Sequence, residues 1–374
     1  MSAYKKVAKV FVASRVQNLA NILRTSTCDI VVEECSLSQN PENPTGISKE
    51  LEKHVSEIEF LFADPDIIGQ VLAHPRNKVK WAQSTFAGLD ALFKAIDKLH
   101  QLPDVLISRQ TGGFGQKMGE YVIGQIIARE RKFDIMRDLQ KKKNFDGSQL
   151  YSYRCLNSLS IGILGFGTIG QEVVRQCKAM NMNVWAAVRD ERFDSGENLN
   201  HSVDNFVPMS RLNEMLTEVD YLVNVLPSTP KTRGLLSDKL QFCEKKKTIF
   251  INIGRGDIVD DNSLITAIQN GWLGGAILDV FNKEPLPSTS ELWNLPNVTI
   301  SPHVSGITFA VETIETFLLN LKLYQDGKEL INQNPHLQVK SHQKIPINSN
   351  SISYCPGGYV SNTSAILTLL SIKA

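Results

Sequence analysis

No stretch of the 374-residue chain approaches the roughly 20 consecutive apolar residues of a membrane-crossing helix. The opening segment, MSAYKKVAKVFVASR, holds an apolar run too short and too interrupted for a secretory leader. The six cysteines, Cys28, Cys35, Cys155, Cys177, Cys243 and Cys355, never form a C-x-x-C pair. Free thiols in a reducing compartment are therefore expected, and no metal centre. The sequons at Asn200, Asn297 and Asn362 are then chance matches. An excess of either charge is also lacking, since 40 Lys and Arg stand against 39 Asp and Glu. The runs Lys141–Lys143 and Lys245–Lys247 are short enough to be solvated ends of elements. A cytoplasmic protein with neither a nucleic-acid nor a membrane partner is the expectation.

What is present is an ordinary globular composition, 42% hydrophobic and 21% charged. At roughly 150 residues per domain the length suggests two domains. Apolar strand-like runs alternate with segments of helical spacing. Val7–Ala13, Asp29–Glu33, Ile58–Ala63, Val79–Gln83 and Val105–Ser108 read as strands. Val16–Leu23, Asp66–Leu72 and the face Leu89, Leu92, Phe93, Ile96 read as helices between them. Such alternation implies a parallel sheet with helices on both faces, over residues 5–110. The stretch Thr111-Gly112-Gly113-Phe114-Gly115 then leads into one long predicted helix from Gln116 to Lys141, suited to linking two domains. A second alternating unit spans 111–303. Its strands are Ser160–Leu164, Val184–Val188, Tyr221–Leu226, Thr248–Ile253, Gly275–Val280 and Asn297–Ser301. Residues 304–330 add a final helical pattern, with Ile314, Phe317, Leu318 and Leu321 on one side. From 331 to 374 the chain turns rich in Ser, Asn and Gln, and a disordered or atypical tail is expected.

In open parallel sheets, ligands bind beyond the carboxyl ends of the strands. There the run Gly165-Phe166-Gly167-Thr168-Ile169-Gly170 follows a strand and opens a helix. A lone G-x-G-x-x-G is weak, but this setting gives each glycine a job. Gly165 permits the tight turn, Gly167 lets backbone approach a pyrophosphate, and Gly170 lets helix and strand pack closely. The helix that follows, read as Gln171–Met180, offers N–H groups at its N-terminus to the phosphates. The next strand ends Ala187-Val188-Arg189-Asp190. Val188 holds the place where an acid would bind the ribose of NAD, and Arg189 could pair a 2′-phosphate. NADP is expected, with NAD as the alternative if Asp190 takes the acid's place.

Three later segments follow strand ends: Ile253-Gly254-Arg255-Gly256, Asp279-Val280-Phe281-Asn282-Lys283-Glu284 and Pro302-His303-Val304. Singly, each charged residue has a bland reading as a surface arginine, a loop acid or a loop histidine. Together they supply what carbonyl reduction of a 2-keto acid needs. A guanidinium holds a carboxylate, an imidazole gives a proton to the developing alkoxide, and a carboxylate raises the imidazole pKa and fixes its ring.

The ordered motifs from Gly165 to Gly306, INIGRGDIVD, GAILDVFNKEPLP and LWNLPNVTISPHVSG, resemble the D-isomer-specific 2-hydroxyacid dehydrogenases. With Lys80–Asp90 and Gly115–Tyr121, the chain looks most like their glyoxylate/hydroxypyruvate reductase branch, over about residues 5–330. The resemblance implies a Rossmann cofactor domain inserted in a flavodoxin-like substrate domain. It implies that Arg255 binds substrate, that His303 is the acid/base, and that Glu284 orients it. It further implies that Ala87 and Gly88 meet the substrate carboxylate through backbone N–H groups. Thr168, Ile169, Arg189, Pro227, Thr232, Ile253 and Asp279 would line the cofactor site. A homodimer is implied, with the long helix after Gly115 at its interface. Gly119 stands where relatives have Ala, which is expected to loosen that helix start. Formate dehydrogenases share the fold but carry Gln as the histidine's partner, and Glu284 argues against them. An NAD(H)-sensing corepressor-like protein or an inactive paralogue is the remaining alternative.

Overall fold

The computed structural model describes residues 8–37, 47–97, 99, 104–196 and 203–333. They fall into two compact units, one ending at Gly112 and resuming at Thr308, the other running from Gly113 to Ile307. None of the helices among these residues is long and apolar enough to cross a membrane.

The first unit carries β1 (Ala8–Ala13), α1 (Leu19–Ser26), β2 (Ile30–Glu34), α2 (Lys49–His54) and β3 (Phe60–Ala63). It continues with α3 (Pro65–Ala73), β4 (Trp81–Ser84), α4 (Asp90–Ile96) and β5 (Leu106–Arg109). The five strands are parallel in the order β2-β1-β3-β4-β5, the flavodoxin-like order.

The second unit starts with α5 (Phe114–Glu130) and α6 (Phe133–Lys141), followed by β6 (Ser160–Leu164), α7 (Thr168–Ala179) and β7 (Asn183–Val188). Next come α8 (Asp190–Asp194), β8 (Asn205–Pro208), α9 (Leu212–Leu216), β9 (Tyr221–Asn224) and β10 (Ile249–Asn252). The unit ends with α10 (Asp261–Gln269), β11 (Gly275–Leu278) and β12 (Val298–Ile300). Its seven strands lie parallel as β8-β7-β6-β9-β10-β11-β12, which is the doubly wound dinucleotide-binding order extended by one strand. The last helix, α11 (Ala310–Gln325), belongs to the first unit.

Helices cover both faces of the first sheet. One face buries Ile67, Val71, Leu92 and Ile96 from α3 and α4. The other buries Leu19 and Leu23 of α1 with Ile314, Phe317 and Leu321 of α11. There Phe317 stacks on Phe62 at 4.6 Å and on Trp81 at 5.2 Å between centroids. Each such fully buried side chain stabilises by about 1.5–3 kcal/mol.

Four expectations change. The long helix predicted from Gln116 to Lys141 is two helices, broken at Lys132, whose φ is 53°. The apolar stripe Met118, Val122, Ile126 ends there, α6 buries none of its residues, and Lys132 Nζ binds Gln149 O at 2.7 Å. The short edge strand β8 was not anticipated; its closing Pro208 suits an edge, where a missing N–H breaks no ladder. Residues 304–307 stay with the second unit, because Asp279 takes the N–H groups of Val304 and Ser305 and Lys117 Nζ binds Ile307 O. Lastly, the chain does pack back after Leu330. Asn320 brackets Ile331 through N–H and C=O at 2.8 and 3.2 Å, Asn332 O accepts the Arg109 N–H, and Gln333 bridges to Ser108 on the β5 edge. The expected disorder of the tail beyond 333 lies outside the described residues.

Candidate active site

The glycine turn sits between β6 and α7 as the sequence indicates, and its three glycines differ physically. Gly165 has φ of 102°, a left-handed value that side chains rarely adopt. A Cβ on Gly170 would lie 2.0 Å from the Gly165 carbonyl oxygen, so helix and turn touch there. A Cβ on Gly167 would meet nothing within 4 Å. That open space lies over the first turn of α7, where no side chain caps the helix. Thr168 is exposed and Ile169 half-exposed beside it. The uncapped N–H groups and their dipole suit an anionic group such as a pyrophosphate. Phe166, between the first two glycines, is buried, and its carbonyl accepts Arg192 Nη1 at 2.7 Å.

β7 ends at Val188, so Arg189 is the first residue beyond it and is exposed. Asp190 faces elsewhere: its Oδ1 accepts the Ser210 N–H at 3.0 Å and hydroxyl at 2.8 Å. Those bonds, the backbone one first, hold its carboxyl below the usual range. Arg189, exposed, has no ion-pair partner among the described residues.

The loops after β9 and β10 are fastened to each other. The Thr232 hydroxyl donates to Pro227 O at 2.6 Å, closing its own loop, and Ser228 Oγ donates to Asp257 at 2.6 Å. Ile253 is buried and its N–H binds Asn224 O at 3.2 Å. Half-buried Arg255 follows in extended conformation, with Nη1 on the Gly254 carbonyl at 2.8 Å. Gly256 matters as much, although only a contact shows it. A Cβ there would lie 2.0 Å from the Phe281 carbonyl carbon. The arginine loop thus abuts the backbone of Phe281 and Asn282, in the loop that carries Glu284.

His303 Nδ1 and Glu284 Oε2 are 2.8 Å apart, and Glu284 Oε1 accepts the Phe281 N–H at 3.0 Å. Hydrogen bonding to Glu284 raises the His303 pKa; burial opposes it, the charges of Glu284 and Asp279 reinforce it, and Arg255 lowers it. Burial pushes Glu284 up, but the His303 and Phe281 hydrogen bonds and the charges of His303 and Arg255 outweigh it and hold its pKa low. With Nδ1 on the carboxylate, Nε2 has no partner among the described residues, and the ring remains about half exposed at 53%. Arg255, Glu284 and His303 thus form one electrostatically coupled cluster in the second unit.

Asp279, expected at the cofactor site, is fully buried, and its carboxylate fastens the loop that carries His303. Oδ1 accepts Ser301 Oγ at 2.5 Å and the Val304 N–H at 2.8 Å, while Oδ2 accepts the Ser305 N–H at 2.9 Å. The Asp279 carbonyl also takes the His303 N–H at 2.9 Å. These bonds hold His303 at φ 55°, a strained value for a non-glycine residue, so Asp279 positions the histidine turn. Tyr121 extends the set from α5, its hydroxyl 2.7 Å from Ser301 Oγ. Gly119 lies within α5; Gln176 lies across it, within 2.5 Å of where a Cβ would stand, and donates to Gln116 O at 3.0 Å, a tie between α5 and α7.

In the first unit, Ala87 and Gly88 follow β4. Their N–H groups meet no acceptor among the described residues, and both residues are half-exposed.

Comparison with known proteins agrees with this geometry. Residues 123–305 match the family model described as D-isomer specific 2-hydroxyacid dehydrogenase, NAD binding domain. A family protein from Aeromonas salmonicida aligns with 29% identity and a TM-score of 0.74, over 88% of this chain and 99% of its own. An NADPH-dependent glyoxylate/hydroxypyruvate reductase from Sinorhizobium meliloti, solved with NADP and sulfate, aligns with 24% identity and a TM-score of 0.70 over 88% and 99%. A probable 2-hydroxyacid dehydrogenase from Rhizobium etli, solved with NADP, HEPES and tartaric acid, aligns with 24% identity and a TM-score of 0.66 over 88% and 98%. The strand orders, the glycine turn and the matched family model agree, and residues 123–305 belong to the NAD binding domain of the D-isomer-specific 2-hydroxyacid dehydrogenases, a family of oxidoreductases.

Proposed function

We propose that the protein uses NADPH to reduce a small 2-keto acid of the glyoxylate or hydroxypyruvate kind to the D-2-hydroxy acid. The observation that carries this is the His303–Glu284 pair, 2.8 Å apart, with Nε2 unpartnered among the described residues. When bound, the reduced nicotinamide supplies the hydride. The chain's own residues do the rest. His303, whose protonated form Glu284 favours, gives its Nε2 proton to the substrate oxygen as charge develops there. Glu284 then stabilises the ring through the exchange and keeps it oriented. Arg255 holds the carboxylate, as do the Ala87 and Gly88 N–H groups. Gly165, Gly167 and Gly170 shape the pyrophosphate seat, and Thr168 and Ile169 offer N–H groups there. Arg189, with Asp190 turned to Ser210, supports a 2′-phosphate and so NADP over NAD. The Sinorhizobium reductase, with its bound NADP, is consistent with that choice.

NADPH and NADH absorbance followed across a panel of 2-keto acids tests the proposal. Faster oxidation of NADPH with glyoxylate or hydroxypyruvate is expected, and no turnover with any keto acid would refute it. We also propose a homodimer, supported by Phe145 and Tyr151, which are 109% and 82% exposed just beyond α6. A monomer by light scattering would refute that.

A further inference from the structure

β4 and β5 pair in a register that sets Ser84 beside Arg109. The loop after β4 is then held carbonyl by carbonyl. Thr308 Oγ1 donates to Thr85 O at 3.2 Å, Ser84 Oγ to Phe86 O at 2.9 Å, and Arg109 Nη1 to Ala87 O at 3.1 Å. Ser84 Oγ also accepts the Phe86 N–H at 3.2 Å. Three successive peptide planes therefore have fixed orientations.

The last of these planes bears on binding. The Ala87–Gly88 peptide is trans, so its C=O and N–H point in opposite directions. A guanidinium on the carbonyl leaves the Gly88 N–H aimed away from Arg109, where it has no acceptor among the described residues. The cation also polarises the peptide from its oxygen end, which strengthens the N–H as a donor to an anion. Arg109 is itself anchored, since its N–H binds Asn332 O at 3.3 Å on the sheet edge.

We propose that Arg109 is a positioning residue for the substrate carboxylate, orienting and polarising the Ala87–Gly88 peptide so that its N–H receives the anion. The proposal rests on the 2-keto acid function above. The test compares Arg109→Met and Arg109→Lys with the wild type. KM for the best keto acid is expected to rise about tenfold in Arg109→Met, the loss of one charge-assisted contact. At the same time kcat and the NADPH Kd should hold within about twofold, a change below 0.5 kcal/mol. Arg109→Lys keeps a cationic donor and should recover most of the loss. An unchanged KM in Arg109→Met would overturn the proposal. So would a joint fall of kcat, cofactor affinity and Tm, which would mark Arg109 as sheet-edge support. Oxalate binding by calorimetry in the presence of NADP needs no turnover, and so separates this from failure of the keto-acid function. If the wild type reduces no keto acid, weaker oxalate binding by Arg109→Met still supports the role; equal binding, or none by the wild type, rejects it.

Discussion

The two units present different chemistry at the same structural position, the carboxyl ends of parallel strands. The second unit presents charged side chains, with Arg255 after β10, Glu284 after β11 and His303 after β12. The first presents bare backbone, the N–H groups of Ala87 and Gly88 after β4. Both depend on neighbours that fix the donor. Asp279 holds the His303 turn through three hydrogen bonds to its carboxylate, and Arg109, Ser84 and Thr308 hold the β4 loop. A side-chain donor can be replaced outright, whereas a backbone donor can be altered only through what holds it. Mutations should therefore affect the two regions on different scales.

The largest effect belongs to His303. With His303→Ala, turnover should fall by about 10²–10⁴-fold, the usual contribution of a positioned acid or base. NADPH binding, followed by fluorescence, should persist. Loss of cofactor binding would show that the histidine turn supports the second unit rather than reacting.

This contrast also explains what the sequence made legible. Arg255, Glu284 and His303 could be picked out because charged residues after strand ends are conspicuous and suit one reaction. The glycine turn was legible because its strand and helix flank it. The roles of Asp279, Gly256 and Arg109 were not, because each depends on a contact between segments distant in the chain. The fastening of the histidine turn by Asp279 could not be read, because a position in the chain says nothing about where its oxygens turn. The break at Lys132 was missed because periodicity reports a buried stripe and not where that stripe stops. Pairing of Gln333 with Ser108 was missed because a polar strand edge carries no apolar signal.

The glycine turn allows a comparison within one motif. Gly170→Ala places a Cβ against the Gly165 carbonyl and should destabilise the second unit by about 1–3 kcal/mol in urea unfolding. Gly167→Ala meets no protein atom and should stay within about 0.5 kcal/mol of wild type, yet weaken NADPH binding. Equal stability losses in the two variants would refute the distinction. At the next strand end, Arg189→Asp should shift the kcat/KM ratio toward NADH by about tenfold, a charge-assisted hydrogen bond's worth. An unchanged ratio would move the 2′-phosphate contact away from Arg189.

The finest effect is a displacement along pH. The His303 pKa is raised first by its hydrogen bond to Glu284, against burial, and then by the charges of Glu284 and Asp279. Glu284→Gln keeps a polar group of the same size and removes one charge, so the His303 pKa should fall. Keto-acid reduction needs the protonated ring, so its rate declines as pH rises through that pKa, and in the variant the decline should come at lower pH. Oxidation of the hydroxy acid needs the neutral ring, so its rate climbs through the same pKa, and that climb should also come at lower pH. At acid pH both enzymes carry a protonated ring, and the reduction rates should lie closest there. If neither limb moves while both rates fall equally at every pH, Glu284 orients the ring without setting its charge. The coupling of side chains that distinguishes the second unit from the first would then be geometric only.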